Sequence, residues 1–162
     1  MSIKKLITGL TLSLLLASGV ASAADFNKGM EAAQSGDFKT ALAEWTPLAE
    51  QGNASAQFNL GLMYSNGWGV PENDKTAVKW YTLAAEQGDA DAQTNLGVMY
   101  EYGDGVLTDN RRAYMWYNLA SYNGSEQGGK NKDMIAKRMT PADISKAQDM
   151  SSLCLESNYT DC

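Results

Sequence analysis

The residues able to do chemistry in this chain are few, and the gaps among them are informative. No histidine occurs in 162 residues, which removes the commonest general base, the commonest metal ligand and the usual partner of a nucleophilic serine or cysteine. The two cysteines, Cys154 and Cys162, stand at the far end of the chain. Two thiolates without an imidazole leave a metal short of its third and fourth ligands, and the spacing is not the C-x-x-C of a redox pair. In an exported chain an even count reads first as a disulfide, here one that fastens the tail to the helix before it. Two carboxylate pairs, Asp89 with Asp91 and Glu101 with Asp104, have the residue types for acid and base work. Proximity in sequence is not a catalytic geometry, however, and acidic surface residues are ordinarily solvated. No catalytic residue, metal ligand or cofactor is assigned.

Two loops carry paired glycines, Gly67-Trp68-Gly69 and Gly103-Asp104-Gly105, each followed by a valine, Val70 or Val106. A phosphate cradle would need a preceding strand and a glycine-rich run into a helix terminus. Both are missing, so the glycines read as positive-φ turn residues and the valines as plugs of a hairpin. Of the four tryptophans, Trp80 and Trp116 share a register and Trp45 falls one position later in it, the pattern of packing residues. Trp68 stands in its loop with Asp104 as counterpart and is the one open to contact with a ligand, a sugar ring included.

These residues sit in a sentence written twice. The first copy, ASAQFNLGLMYSNGWGVPENDKTAVKWYTLAAEQGD, begins at Ala54; the second, ADAQTNLGVMYEYGDGVLTDNRRAYMWYNLASYNGS, begins at Ala90, an offset of 90 − 54 = 36 residues. The offset holds at Asn59 and Asn95, Leu60 and Leu96, Gly61 and Gly97, Tyr64 and Tyr100, Ala77 and Ala113, and Trp80 and Trp116. Carried backwards it pairs Ala41, Trp45, Ala49 and Gly52 with Ala77, Tyr81, Ala85 and Gly88, so a third, degenerate second helix precedes the two full copies. A period of this length, marked by small and aromatic residues, signals stacked helical hairpins.

The pattern LGxMYxxGxGV, AxxWYxxAAxxG, AxxxLGxMY resembles that of the Sel1-like repeats, short relatives of the tetratricopeptide repeat, over roughly Asp37 to Asn123. The resemblance implies an all-α solenoid acting as an adaptor, with a curved helical surface that holds another protein or an extended peptide. Some exported members have been associated with penicillin binding or hydrolysis, which makes a cell-wall-directed hydrolase or glycan-binding protein the alternative. A penicillin-recognising serine would be expected in S-x-x-K, whose only match is Ser2 to Lys5. The K-T-G motif is missing too, since Ala41 follows Lys39-Thr40.

Taken in order, residues 1–23 read as a secretory leader: Lys4 and Lys5, a broken apolar stretch from Leu6 to Val20, and Ala21-Ser22-Ala23 as the cleavage site. The apolar stretch is short for a span of about 20 residues, and no cysteine near the cleavage site invites a lipid. The mature chain is expected to be periplasmic or secreted, without stable membrane insertion. Its charge is 13 − 2 = 11 basic residues against 19 acidic, or 11 − 19 = −8. Such a chain does not hold nucleic acid by charge, because phosphate binding needs clustered Lys and Arg.

Asp25 to Gln34 reads as a first helix. Asp37, Asn73 and Asp109, spaced by 36, are helix caps, and Gly52, Gly88 and Gly124 end the hairpins. In the first helix of each copy apolar residues occupy two faces, with Ala56, Leu60, Met63 and Tyr64 opposite Phe58 and Leu62, so each such helix needs neighbours on both sides. Gly61 and Gly97 fall between those faces and let a partner helix approach. The remaining edge, with Ser55 and Asn59 and then Asp91 and Asn95, is expected to form the concave binding surface. Asn123 to Asn131 reads as a glycine-rich loop or hinge, Lys132 to Met139 as a short helix, and Thr140-Pro141-Ala142-Asp143 as the start of a helix that closes the stack. The expected organisation is a leader (1–23), a degenerate hairpin (24–53), two repeats (54–89 and 90–125) and a linker, capping helix and disulfide-closed tail (126–162).

Overall fold

The computed structural model describes residues 24–160 and 162; the leader read at residues 1–23 lies outside them. The described residues fold as expected into an all-α chain of eight helices with no strand: α1 (Phe26–Gln34), α2 (Phe38–Glu50), α3 (Ala54–Asn66), α4 (Asp74–Ala85), α5 (Ala90–Tyr102), α6 (Asn110–Tyr122), α7 (Glu126–Ala136) and α8 (Pro141–Glu156). No helix among them is long and apolar enough to cross a membrane.

The helix starts are set by side chains that satisfy free backbone N–H groups. Asp37, Asn73 and Asp109 accept from the N–H of Thr40, of Thr76, and of Arg111 and Arg112. Asn53 and Asp89 do the same for Ala56 and Ala92 at the first helix of each repeat, and Asp25 caps α1 instead of opening it. At the other end Gly52, Gly88 and Gly124 take φ of +94°, +83° and +96°, a conformation that costs glycine little.

With their ends fixed in this way, the helices pack in chain order. Within hairpins α1 lies on α2, α3 on α4 and α5 on α6; between hairpins α2 lies on α3, α4 on α5 and α6 on α7. The two-faced helix α3 shows the consequence. Ala56, Leu60 and Met63 enter the first core cluster with Trp45 and Ala49, while Phe58 and Leu62 pack against the second, built on Tyr81, Leu96, Met115 and Trp116. A third cluster joins Tyr114 and Tyr117 of α6 to Ile135 of α7 and Ala147 of α8, so the last two helices together cover the end of the stack.

The close approach expected at Gly61 and Gly97 is present, but it is made by an aromatic ring of the same hairpin. A Cβ on Gly61 would stand 2.5 Å from Cδ1 of Tyr81, and one on Gly97 2.5 Å from Cε1 of Tyr117. Gly29 meets the Trp45 indole in the same way. The first hairpin therefore keeps the repeat geometry with a shorter loop: 37 − 29 = 8 residues separate its glycine from the next cap, against 73 − 61 = 12 in the following repeat.

The segment 123–131 is not a hinge. Ser125 caps α7 by accepting from the Gly128 N–H at 3.0 Å, and Gly128 and Gly129 lie inside that helix. Gly128 is buried against α6, where a Cβ would stand 2.6 Å from the Ala120 Cβ and 3.2 Å from the Tyr117 carbonyl. The glycines that signalled a loop instead let two helices touch, and they do so 128 − 92 = 36 residues after Ala92. Helix α7 thus takes the place of another repeat's first helix and ends at Ala136, short of Met139.

Cys154 and Cys162 form the expected disulfide, with their Cα atoms 4.8 Å apart. It holds Tyr159 where its hydroxyl meets the Asn123 side-chain amide at 2.8 and 3.0 Å.

Candidate functional site

Two clefts open between hairpins, and they are the same cleft one repeat apart. The first, a cavity of about 290 Å³, is lined by Met30, Ala33 and Gln34 of α1, Phe38 and Trp45 of α2, Asn59, Leu62 and Met63 of α3, and Trp68. The second, about 270 Å³, is lined by Ser65, Glu72, Asp74 and Tyr81, then Asn95, Val98 and Met99 of α5, and Asp104. Adding 36 takes Phe38 to Asp74, Trp45 to Tyr81, Asn59 to Asn95, Leu62 to Val98, Met63 to Met99 and Trp68 to Asp104. The geometry is repeated while the chemistry of the rim changes.

The first cleft is almost wholly apolar. Trp68 stacks on Phe38 with ring centroids 5.6 Å apart and planes 13° from parallel, yet remains 43% exposed. Its loop is held there by Gly69, whose Cβ would fall 2.6 Å from the Phe38 Cβ, just as the loop of the next repeat is pressed onto the first turn of α4 at Gly105, 2.5 Å from the Asp74 carbonyl carbon. The paired glycines are thus turn residues, as their positive φ shows, and also points of contact between consecutive repeats. The valines pack as expected, Val70 on the first cluster and Val106 on the second.

In the second cleft the two aromatic positions hold carboxylates, Asp74 and Asp104, and Glu72 adds a third. None of the three forms an ion pair among the described residues, whose pairs are Lys28–Glu44, Arg111–Asp109, Arg112–Asp109, Lys130–Glu126 and Arg138–Glu101. The floor is Tyr81, whose phenol is pushed up to about 12 by burial first, against an opposing hydrogen bond with Ser65 and with a further rise from the Asp74 charge.

Of the edge residues expected to bind, Asn59 and Asn95 occupy equivalent, half-buried places in the two clefts, and Trp68 joins Asn59 in the first. The Asn59 amide makes one weak contact, 3.7 Å to the Met30 sulfur. Ser55 and Asp91 are exposed in the first turns of α3 and α5 and line neither cleft. Trp45 and Trp116 are buried, and Trp80 packs partly buried on the first cluster.

The members of the two carboxylate pairs have different structural duties. Asp89 caps α5, and its pKa is raised mainly by burial, against the Ala92 N–H that holds its charged form; Asp91 points to solvent. Glu101 is paired with Arg138 and accepts the Tyr117 hydroxyl at 2.7 Å, while Asp104 stands in the second cleft. Among the described residues no group of three or more Cys, Asp or Glu is placed to hold a metal ion.

Sequence reasoning missed the buried glutamines. Gln57 and Gln93, also 36 apart, donate to the carbonyls of Ala49 and Ala85 at 2.9 and 3.0 Å, and accept from Gln87 and Asn123 at 2.7 and 2.9 Å. The signal was an amide at an otherwise apolar position, repeated without change.

Residues 54–89 and 90–125 each match the Sel1 repeat. The chain carries two Sel1 repeats. Solved structures agree. The chain is similar to c5321, a protective antigen present in uropathogenic Escherichia coli strains displaying an SLR fold, with 31% identity over 82% of this chain and 30% of that one, at a TM-score of 0.77. A Sel1 repeat protein from Oxalobacter formigenes matches 67% of this chain and 44% of its own at 32% identity, with a TM-score of 0.64. This chain therefore spans less than half the length of either. No curated protein matches it. The Sel1 repeats account for α3 to α6, and the hairpin before them repeats their glycine-on-aromatic packing through Gly29 and Trp45.

Proposed function

We propose that this Sel1-repeat chain is an exported adaptor that holds another protein, or an extended peptide, on the face formed by its first helices, and that it binds without catalysing a reaction. The observation that carries the reading is the pair of clefts in register, built from equivalent positions and opening beside Asn59 and Asn95. Repetition of a cavity along a stack suits a ligand that is itself extended, since each repeat adds one more contact at a fixed step. The Sel1 fold typically serves protein–protein interaction, which fits the same reading. Export is supported by the composition of residues 1–23 and fits a disulfide at Cys154–Cys162, which persists in an oxidising compartment. The expected partner is a protein or peptide of the cell envelope.

The test is crosslinking in the native envelope, identification of the partner by mass spectrometry, and affinity measurement with an Asn59→Ala/Asp91→Ala/Asn95→Ala variant. Exposed and half-exposed substitutions of this kind move stability by about 0.5 kcal/mol or less, so the melting temperature should hold while affinity falls. Loss of stability with affinity intact would place binding elsewhere. Turnover of a β-lactam or of peptidoglycan fragments by the purified chain would contradict a purely binding role.

A further inference from the structure

Resting on that reading, we infer that the two clefts take one extended peptide segment, a large apolar side chain entering the first and a lysine or arginine about three residues away entering the second.

The first cleft supplies apolar walls from Met30, Phe38, Leu62 and the exposed ring of Trp68. A large side chain placed there removes both its own surface and that of Trp68 from water. The second cleft presents Glu72, Asp74 and Asp104 at its rim, and none of them forms an ion pair among the described residues. A carboxylate group of this kind repels an acidic segment and gains from a basic one, all the more on a chain with formal charge −6 over its 162 residues.

The two chemistries occupy one geometry, because Asp74 and Asp104 stand where Phe38 and Trp68 stand one repeat earlier. A ligand that meets both clefts must therefore change character along its length. The first helices of successive repeats, α3 and α5, touch one another as well as the helix between them, so one repeat step is about the 8–10 Å of packed helices, which an extended chain rising about 3.3 Å per residue covers in about three residues. Asn59 and Asn95 add a register for the backbone between the two anchors. Each is half-buried in its cleft. Asn95 makes no side-chain hydrogen bond among the described residues, so its amide can both donate to and accept from a peptide group.

The experiment uses the mature chain and four Ser/Asn/Gly octapeptides: Phe and Lys three residues apart in either order, Phe with Glu in place of Lys, and Ser with Lys. Binding is read from the shifts of the Trp68 indole and the Asn59 and Asn95 side-chain amides. One Phe/Lys order should bind at least about tenfold more tightly than the Phe/Glu and Ser/Lys peptides. Trp68→Ala should weaken that peptide by about tenfold. Glu72→Gln/Asp104→Asn should abolish the preference for Lys over Glu while leaving that for Phe over Ser, with melting temperatures unchanged. Equal binding of the Phe/Lys and Phe/Glu peptides, or a Lys preference that survives the charge variant, overturns the assignment. If no peptide binds while an envelope protein still crosslinks at Asn59 and Asn95, the cleft assignment falls and the adaptor reading stands. If that crosslink is absent as well, both fall.

Discussion

Replacing Gly97 by alanine adds one methyl group where the hairpin has no room for it. The new Cβ would lie 2.5 and 2.6 Å from Cε1 and Cδ1 of Tyr117, about 1 Å inside the 3.5–4.0 Å at which carbon atoms attract. The ring cannot easily yield, since its hydroxyl is held at 2.7 Å by Glu101, which Arg138 holds in turn, and the whole side chain is buried. Overpacking of this kind costs about 1–3 kcal/mol, and the better helix propensity of alanine returns up to about 1 kcal/mol. A net loss of about 1–2 kcal/mol is expected, or roughly 4–8 °C in melting temperature for a domain of this size. Gly129→Ala is the matched control. Its Cβ would meet the Ser121 hydroxyl at 3.1 Å, with the next contact at 3.7 Å, and a hydroxyl on one rotatable bond can move aside, so that variant should melt at or slightly above the parent. Thermal denaturation followed by circular dichroism decides the matter. A Gly97→Ala protein as stable as the parent would refute the role given to the glycine-on-aromatic contact.

Other expectations follow from single contacts. Gln93→Met keeps the volume but leaves the Ala85 carbonyl and the Asn123 amide short of a partner, so denaturant unfolding should show a loss of about 2 kcal/mol. Cys162→Ser should cost about 2.5 kcal/mol through the loss of an eight-residue loop closure, with the parent running as a monomer without free thiol on non-reducing electrophoresis. Alkali should unfold the protein early. The Tyr81 phenol is raised from 10.0 to about 12 and Tyr117 is raised too, both chiefly by burial. Their contribution is full below pH 10, where phenols of the unfolded chain are still protonated, and is lost as pH climbs from 10 toward 12. Tyr81→Phe should blunt that loss in a pH-jump melting series.

The caps and the hairpins are legible because each rests on a local rule repeated at a fixed period: Asp37, Asn73 and Asp109 share one duty, and so do Gly52, Gly88 and Gly124; the disulfide is legible because the chain has only two cysteines to pair. The tail was misread where the same residue type serves two purposes. Gly128 and Gly129 have the composition of a loop, and only their packing against Ala120 and Ser121 shows a helix contact instead. Of the edge residues expected to bind, two reach the clefts. Helical spacing found Asn59 and Asn95, but it could not show that their clefts are completed by Phe38 and Trp68 in one case and by Asp74 and Asp104 in the other. Those residues arrive from different helices and loops, and only packing brings them together.

The proposed adaptor role turns on which face would meet a partner, and site-specific photocrosslinking in the intact envelope measures that directly. A photoreactive residue at Asn59 or Asn95, inside the clefts, should capture a discrete protein, while the same group at Leu83, exposed on α4 and lining neither cleft, should not. Capture at Leu83 with none at Asn59 and Asn95 would contradict the assignment of the binding face.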